Sequence, residues 1–191
     1  MNDPIIIVAV VLVALALIGA AAWVAAQRRR RGHLRARFGP EYDRTVSEVG
    51  DRRRAEHELE QRQERVRKFP LRALPEHRRT RYAEDWRRVQ AEFVDSPAHA
   101  IDDAERLVTE LMEDVGYPVA ADFDQRAADL SVDHPHVVDN YRAARALTAR
   151  SRGGEESTED MRQAMVHYRA LFDDLLGERT GETVEARSER A

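Results

Sequence analysis

Apolar residues are distributed along this chain in two different ways. From Ile5 to Ala26 they form one unbroken run, IIIVAVVLVALALIGAAAWVAA, with no charged residue inside it. As an α-helix the run spans roughly 33 Å at ~1.5 Å per residue, close to the ~30 Å hydrocarbon thickness of a bilayer. It predicts a single transmembrane helix, with residues 1–27 as the anchor. After Gln27 the apolar residues recur singly, at spacings of three and four, as on one face of a helix.

The anchor helix is expected to continue a turn or two and stop near Gly39-Pro40. Pro40-Glu41-Tyr42-Asp43 suits a helix start, with proline in the first turn and acids at the positive end of the dipole. Gly50 is a natural interruption. Asp51 to Lys68, DRRRAEHELEQRQERVRK, is nearly all charged, with only Ala55, Leu59 and Val66 apolar. This stretch predicts a solvated helical stalk. Leu59 and Val66 lie seven apart, which would also suit one seam of a homodimer. Phe69-Pro70 closes the stretch.

Leu74 to Val94 reads as a helix with Pro75 in its first turn and Tyr82, Trp86, Val89 and Phe93 on one stripe. Ser96-Pro97 caps and starts the next helix. Its stripe is Ile101, Ala104, Val108, Leu111 and Val115, widened by Leu107 and Met112, and Gly116-Tyr117-Pro118 stops it. Asp122 to Leu130 predicts a short helix, and Ser131 to His136 a turn with Asp133 as a cap. Pro135 opens a helix to about Arg150 with Val137, Val138, Tyr141, Ala144 and Thr148 inward, and Gly153-Gly154 breaks it. Ser157 caps the last helix, on which Met161, Ala164, Met165, Tyr168, Leu171, Phe172 and Leu175 share a face. Gly177 ends it, and the polar tail from Gly181 is expected to be disordered.

No run alternates with period two. The fold class is therefore all-α: a transmembrane helix, a charged helical stalk and a small helical bundle. The expected division is anchor 1–27, basic juxtamembrane segment and stalk 28–70, bundle 71–176 with about four helices, and tail 177–191.

The flanks give the apolar run an identity and a direction. A cleaved signal peptide carries bases before a run of about 7–15 apolar residues. Here Met1-Asn2-Asp3-Pro4 precedes a longer run, and the bases follow it. Arg28, Arg29, Arg30, Arg31, Arg35 and Arg37 hold the following segment on the cytoplasmic side. The reading is N-terminus outside and body cytoplasmic, with these arginines at the bilayer surface. An inverted topology or cleaved run would instead make an envelope-associated protein facing outward.

Charge sharpens this polarity. Residues 28–54 hold ten bases and four acids, residues 71–150 eleven bases and sixteen acids, and residues 151–191 six bases and ten acids. The basic part adjoins the membrane, and the acidic distal part repels nucleic acid. Lys68 is the only lysine among 31 lysine and arginine residues, an arginine excess read as genomic base-composition bias, since arginine and lysine serve equally on a solvated face. The chain has no cysteine, which excludes disulfides, thiolate catalysis and cysteine-ligated metals.

Candidate chemistry is thin. Asp133-His134-Pro135-His136 is the most tempting group, but its histidines stand two apart across a proline and lack a partner motif. His167, beside Tyr168, has no partner for acid–base work in the sequence. No phosphate loop, dinucleotide fingerprint or nucleophile elbow occurs. The expectation is no catalytic residue, no metal, no cofactor and no enzyme; an unrecognised enzyme class is the remote alternative.

The stretches RFGPEYDRTV (37–46), RYAEDWRRVQAEFVDSP (81–97), QRAADLSVDHPHVVDNYR (125–142) and TEDMRQAMVHYRALFDDLL (158–176) resemble uncharacterised bacterial single-pass membrane-anchored proteins, usually labelled hypothetical or secreted. The resemblance covers most of the chain and implies membrane attachment, with no ligand or site residue. Together these readings predict a membrane-tethered interaction or scaffold module. Its partners are the lipid bilayer and a protein, or a second copy through the stalk.

Overall fold

A computed structural model describes residues 4–152 and 157–177 of the chain, with side chains over 12–150 and 157–177. Among the described residues all regular structure is helical. The elements are α1 (Pro4–Phe38), α2 (Pro40–Val49), α3 (Arg52–Val66), α4 (Glu76–Glu92), α5 (Pro97–Val115), α6 (Phe123–Asp133), α7 (Val138–Arg152) and α8 (Thr158–Leu176).

α1 runs without a break through the apolar stretch and the arginines behind it. Its segment Leu12–Phe38 is long and apolar enough to cross a membrane. Leu12, Val13, Leu15, Leu17, Ile18 and Trp23 are exposed on it, whereas about three and four turns after Trp23 Leu34 and Phe38 are buried. Gly39, at φ 47°, makes the corner into α2, a left-handed value that favours glycine. Pro40 takes the first position of α2, where the missing N–H costs no hydrogen bond. Gly50 ends α2 in the left-handed region at φ 72°.

α8 packs between α5 and α7, and α4 lies against α5. α2 packs on α3, α3 on α6, and the end of α1 on α2, α3 and α6. The stripes read from the sequence form the core: all seven named positions of α8 and all seven of α5 are buried. Trp86 stacks on Phe172 with ring centroids 4.6 Å apart, joining α4 to α8. Phe123 meets Tyr141 at 4.7 Å, joining α6 to α7.

Four expectations are corrected. First, α3 is no free-standing stalk. Ala55, Leu59 and Val66 are 0% exposed and belong to the common core. Three apolar residues suffice because arginines on the flanks of α3 pair with carboxylates of α2 and α6. Leu59 and Val66, the expected dimer seam, are thus covered by the chain's own helices, and residue 70 marks no break in the packing. Second, five helices follow Leu74, one at each stretch that predicts a helix, against the bundle of about four expected. Third, α6 continues through Ser131-Val132-Asp133, so Asp133 ends a helix instead of capping one. α7 then begins at Val138 after a turn that contains Pro135. Fourth, Ser96 precedes α5 without a side-chain cap hydrogen bond. Asp122 and Ser157 do cap, accepting from the Gln125 and Asp160 amides. The Gly153-Gly154 break and the polar tail lie outside the described residues.

Candidate functional site at the anchor–body junction

The last three turns of α1 carry apolar residues on one side and arginines around them. Leu34 and Phe38 stand four apart, hence on one face, and enter the core. Arg30 donates to both carboxylate oxygens of Glu60 on α3. Arg31 lies 3.3 Å from Glu56 of α3 as an ion pair. Arg35 grips Asp43 of α2 at 2.9 and 3.0 Å. Arg37 donates to Asp133 at the end of α6, at 2.7 Å. The helix that leaves the apolar run is therefore fastened to three body helices within a few turns.

Two of the carboxylates at these contacts, Glu56 and Asp133, are deeply placed, whereas Glu60 and Asp43 stand further out. Glu56 is 1% exposed and also accepts from the Tyr42 hydroxyl at 2.8 Å. Burial, and then the Glu56 contact, push the Tyr42 hydroxyl above its ordinary pKa. Asp133 accepts from Tyr117 at 3.2 Å. Beside it, His134 is buried with Nδ1 2.6 Å from Asp174 of α8. His136 is exposed, so the two histidines of the Asp133–His136 group face different surroundings. His134 joins α6 to α8 through Asp174. His167 likewise lies 2.8 Å from Asn140 of α7.

A second node lies deeper in the body. Glu41, on the first turn of α2 and 1% exposed, accepts from Arg62 of α3 at 2.9 Å and from Arg142 of α7 twice at 2.8 Å. Asp129 of α6 holds Arg65 of α3. Burial raises the Asp129 carboxyl to about 6, against the opposing pull of Arg65 and Arg62. A buried acid resists ionisation unless its partners compensate fully. Here the partner is half-exposed and compensates only in part.

Of the six arginines expected at the bilayer surface, the structure divides the set. Arg30, Arg31, Arg35 and Arg37 are tied to body carboxylates. Among the described residues, Arg28 and Arg29 have no such partner and are exposed. The carboxylates on the receiving side were not legible beforehand. Their signal is the arginine excess itself, because a planar guanidinium fits a carboxylate by two parallel bonds and lysine does not.

Two other places could hold a small group. Glu92, His99 and Asp103 bring one ligand atom each within 4.8 Å of one another. His99 Nδ1 is 2.6 Å from Glu92, and Asp103 already accepts from Arg106 at 2.7 Å. The group clasps the end of α4 to the first turns of α5. A cation there would share Asp103 with a guanidinium. A cleft of about 410 Å³ lies between Phe69-Pro70 and Gly116-Tyr117, edged by Arg72 and Glu113. Comparison with protein-family models, curated proteins and solved structures finds no match to this chain.

Proposed function

We propose that the protein is a single-pass membrane-tethered helical bundle, N-terminus outside and body cytoplasmic, that acts by holding an interaction surface at the membrane. The observation that carries this reading is α1: one uninterrupted helix with exposed apolar side chains in one part and core residues at its end. Exposed Leu, Ile and Trp in such density are costly in water and favourable in lipid. The arginine flank gives the orientation. The buried titratable groups support a structural body, since Glu41, Glu56, Asp129, Asp133 and His134 are each engaged by a neighbouring helix.

The test is fractionation of the full chain and of a chain lacking residues 1–27. The full chain should stay with membranes through alkaline carbonate extraction. The shortened chain keeps Arg30, Arg31, Leu34 and Phe38, and should be soluble with an undiminished helical far-ultraviolet spectrum. A full chain released by carbonate would refute the anchor, and an unfolded shortened chain would refute the independent body. Crosslinking in native membranes then identifies what the body holds.

A further inference from the structure

Nearly every arginine side chain in the described residues has a carboxylate or carbonyl partner. Those without one are Arg28, Arg29, Arg52, Arg53, Arg54 and Arg87, all exposed. Five of these fall in two short runs, Arg28-Arg29 on α1 and Arg52-Arg53-Arg54 on α3. Arg28 precedes Arg31 by three residues on α1, and Arg52 precedes Glu56 by four on α3, so each stands one turn from the same ion pair. Arg31 and Arg52 also both act on the Tyr42 hydroxyl. The nearby acids are committed elsewhere: Asp43 to Arg35, Glu48 to Arg44, and Asp51 to the amide of Arg54.

Three arginines in the first turn of α3, with no acid there, oppose the positive end of the helix dipole. The helix dipole does not favour that arrangement. Its level relative to the bilayer is fixed by α1. From Ala26, the last apolar residue, to Leu34, the first buried one, is about 12 Å along a rigid helix. The polar headgroup layer adds roughly 5–7 Å to each side of the hydrocarbon, so the body begins roughly 5–7 Å beyond the headgroups, close enough for long arginine side chains to turn back to them.

We propose that Arg28, Arg29, Arg52, Arg53 and Arg54 form one surface that binds anionic phospholipid headgroups and seats the body against the membrane. The inference rests on the anchoring reading given above. Its occupant is argued from charge complementarity and from the short, continuous helix joining the patch to the apolar run. An arginine at an anionic surface gains about fivefold in occupancy. Removing three should cost on the order of a hundredfold, and salt should weaken the contact as the screening length shortens.

The chain has no cysteine, so His57→Cys gives a single labelling point one turn after Arg53 on α3. The full chain carrying a fluorophore there is placed in vesicles of neutral phosphatidylcholine, or of the same lipid with about a third phosphatidylglycerol, each with a headgroup-attached quencher. The expected result is strong quenching in the anionic vesicles only, lost in high salt and lost in the R52Q/R53Q/R54Q chain, whose helical spectrum is unchanged. Equal quenching in the two lipids, or a triple variant that quenches as well as its parent, would overturn the proposal while leaving the anchor intact. A chain that floats with neither vesicle would overturn the anchoring reading, and the headgroup surface with it.

Discussion

Glu41→Gln keeps the shape of the side chain that joins α2, α3 and α7 and removes its charge. In the parent, the two carboxylate oxygens receive three guanidinium bonds, one from Arg62 at 2.9 Å and two from Arg142 at 2.8 Å. Glutamine offers one acceptor oxygen and turns an N–H₂ donor toward a donor. Removing one partner of a buried ion pair costs about 3–5 kcal/mol, because the other charge stays desolvated and unpaired. Here the lower end applies. Arg62 and Arg142 retain 12% and 18% side-chain exposure and can fall back on Glu58 and Asp139. About 3 kcal/mol is a large part of a total stability of about 5–15 kcal/mol, and should lower the midpoint by about 6–12 °C for a chain of this size. The assay is thermal unfolding of the full chain in micelles by circular dichroism. The control is Glu48→Gln, whose pair with Arg44 at 2.7 Å is 54% exposed and should cost less than about 1 kcal/mol. A double-mutant cycle with Arg142→Gln should return a coupling of about 1–3 kcal/mol. Equal effects of E41Q and E48Q, or a coupling near zero, would refute the claim that this charge node holds the three helices together.

Leu59→Ala should destabilise by about 2–5 kcal/mol, because Leu59 is 0% exposed; a loss below about 0.5 kcal/mol in the same melt would return α3 to the status of a solvated stalk. Gly116 sits at φ +109° with its Cβ position 2.6 Å from the Pro70 carbonyl oxygen, so Gly116→Ala should cost more than about 1 kcal/mol, measured by urea unfolding. Gly32, helical with open space around it, should behave oppositely, Gly32→Ala raising stability by about 0.5–1 kcal/mol in the same urea unfolding. Asp129 gives a pH signature. Its carboxyl titrates near 3.8 unfolded and about 6 folded, so the folded state is penalised above pH 6 and the penalty vanishes below about 3.8. Stability relative to Asp129→Asn should therefore rise as pH falls through that window, by up to about 3 kcal/mol, and a parallel pH profile of parent and variant would contradict it.

Strongly periodic segments could be read from the sequence because burial and helical spacing coincide in them. The stripes on α5 and α8 are complete, and the glycine stops at Gly50 and Gly116 follow from φ values that other residues adopt only with strain. α3 could not be read this way. Its core-facing side contains Glu56, 1% exposed, and charge at a core position imitates a solvated helix. The missing information is tertiary: Tyr42 and Arg31 lie 14 and 25 residues away in the chain and are brought to Glu56 by the corner at Gly39. The same limit applied to Asp133, whose position before His134-Pro135 suggested a cap and whose partner, Arg37, lies 96 residues earlier. At the junction, the bases were legible and their carboxylate partners were not. Local sequence records that a charge exists, while the fold decides whether lipid, water or a buried acid receives it.

The most direct test of a tethered cytoplasmic body is a pair of reporters fused after residue 191 in living bacteria. One is a green fluorescent protein that matures only in the cytoplasm, and the other an alkaline phosphatase active only outside it. The arginine-flanked α1 predicts bright fluorescence, no phosphatase activity, and both fusions in the membrane fraction. Phosphatase activity with a dark fluorescent fusion would contradict the orientation, and either fusion recovered as a soluble protein would contradict the anchor.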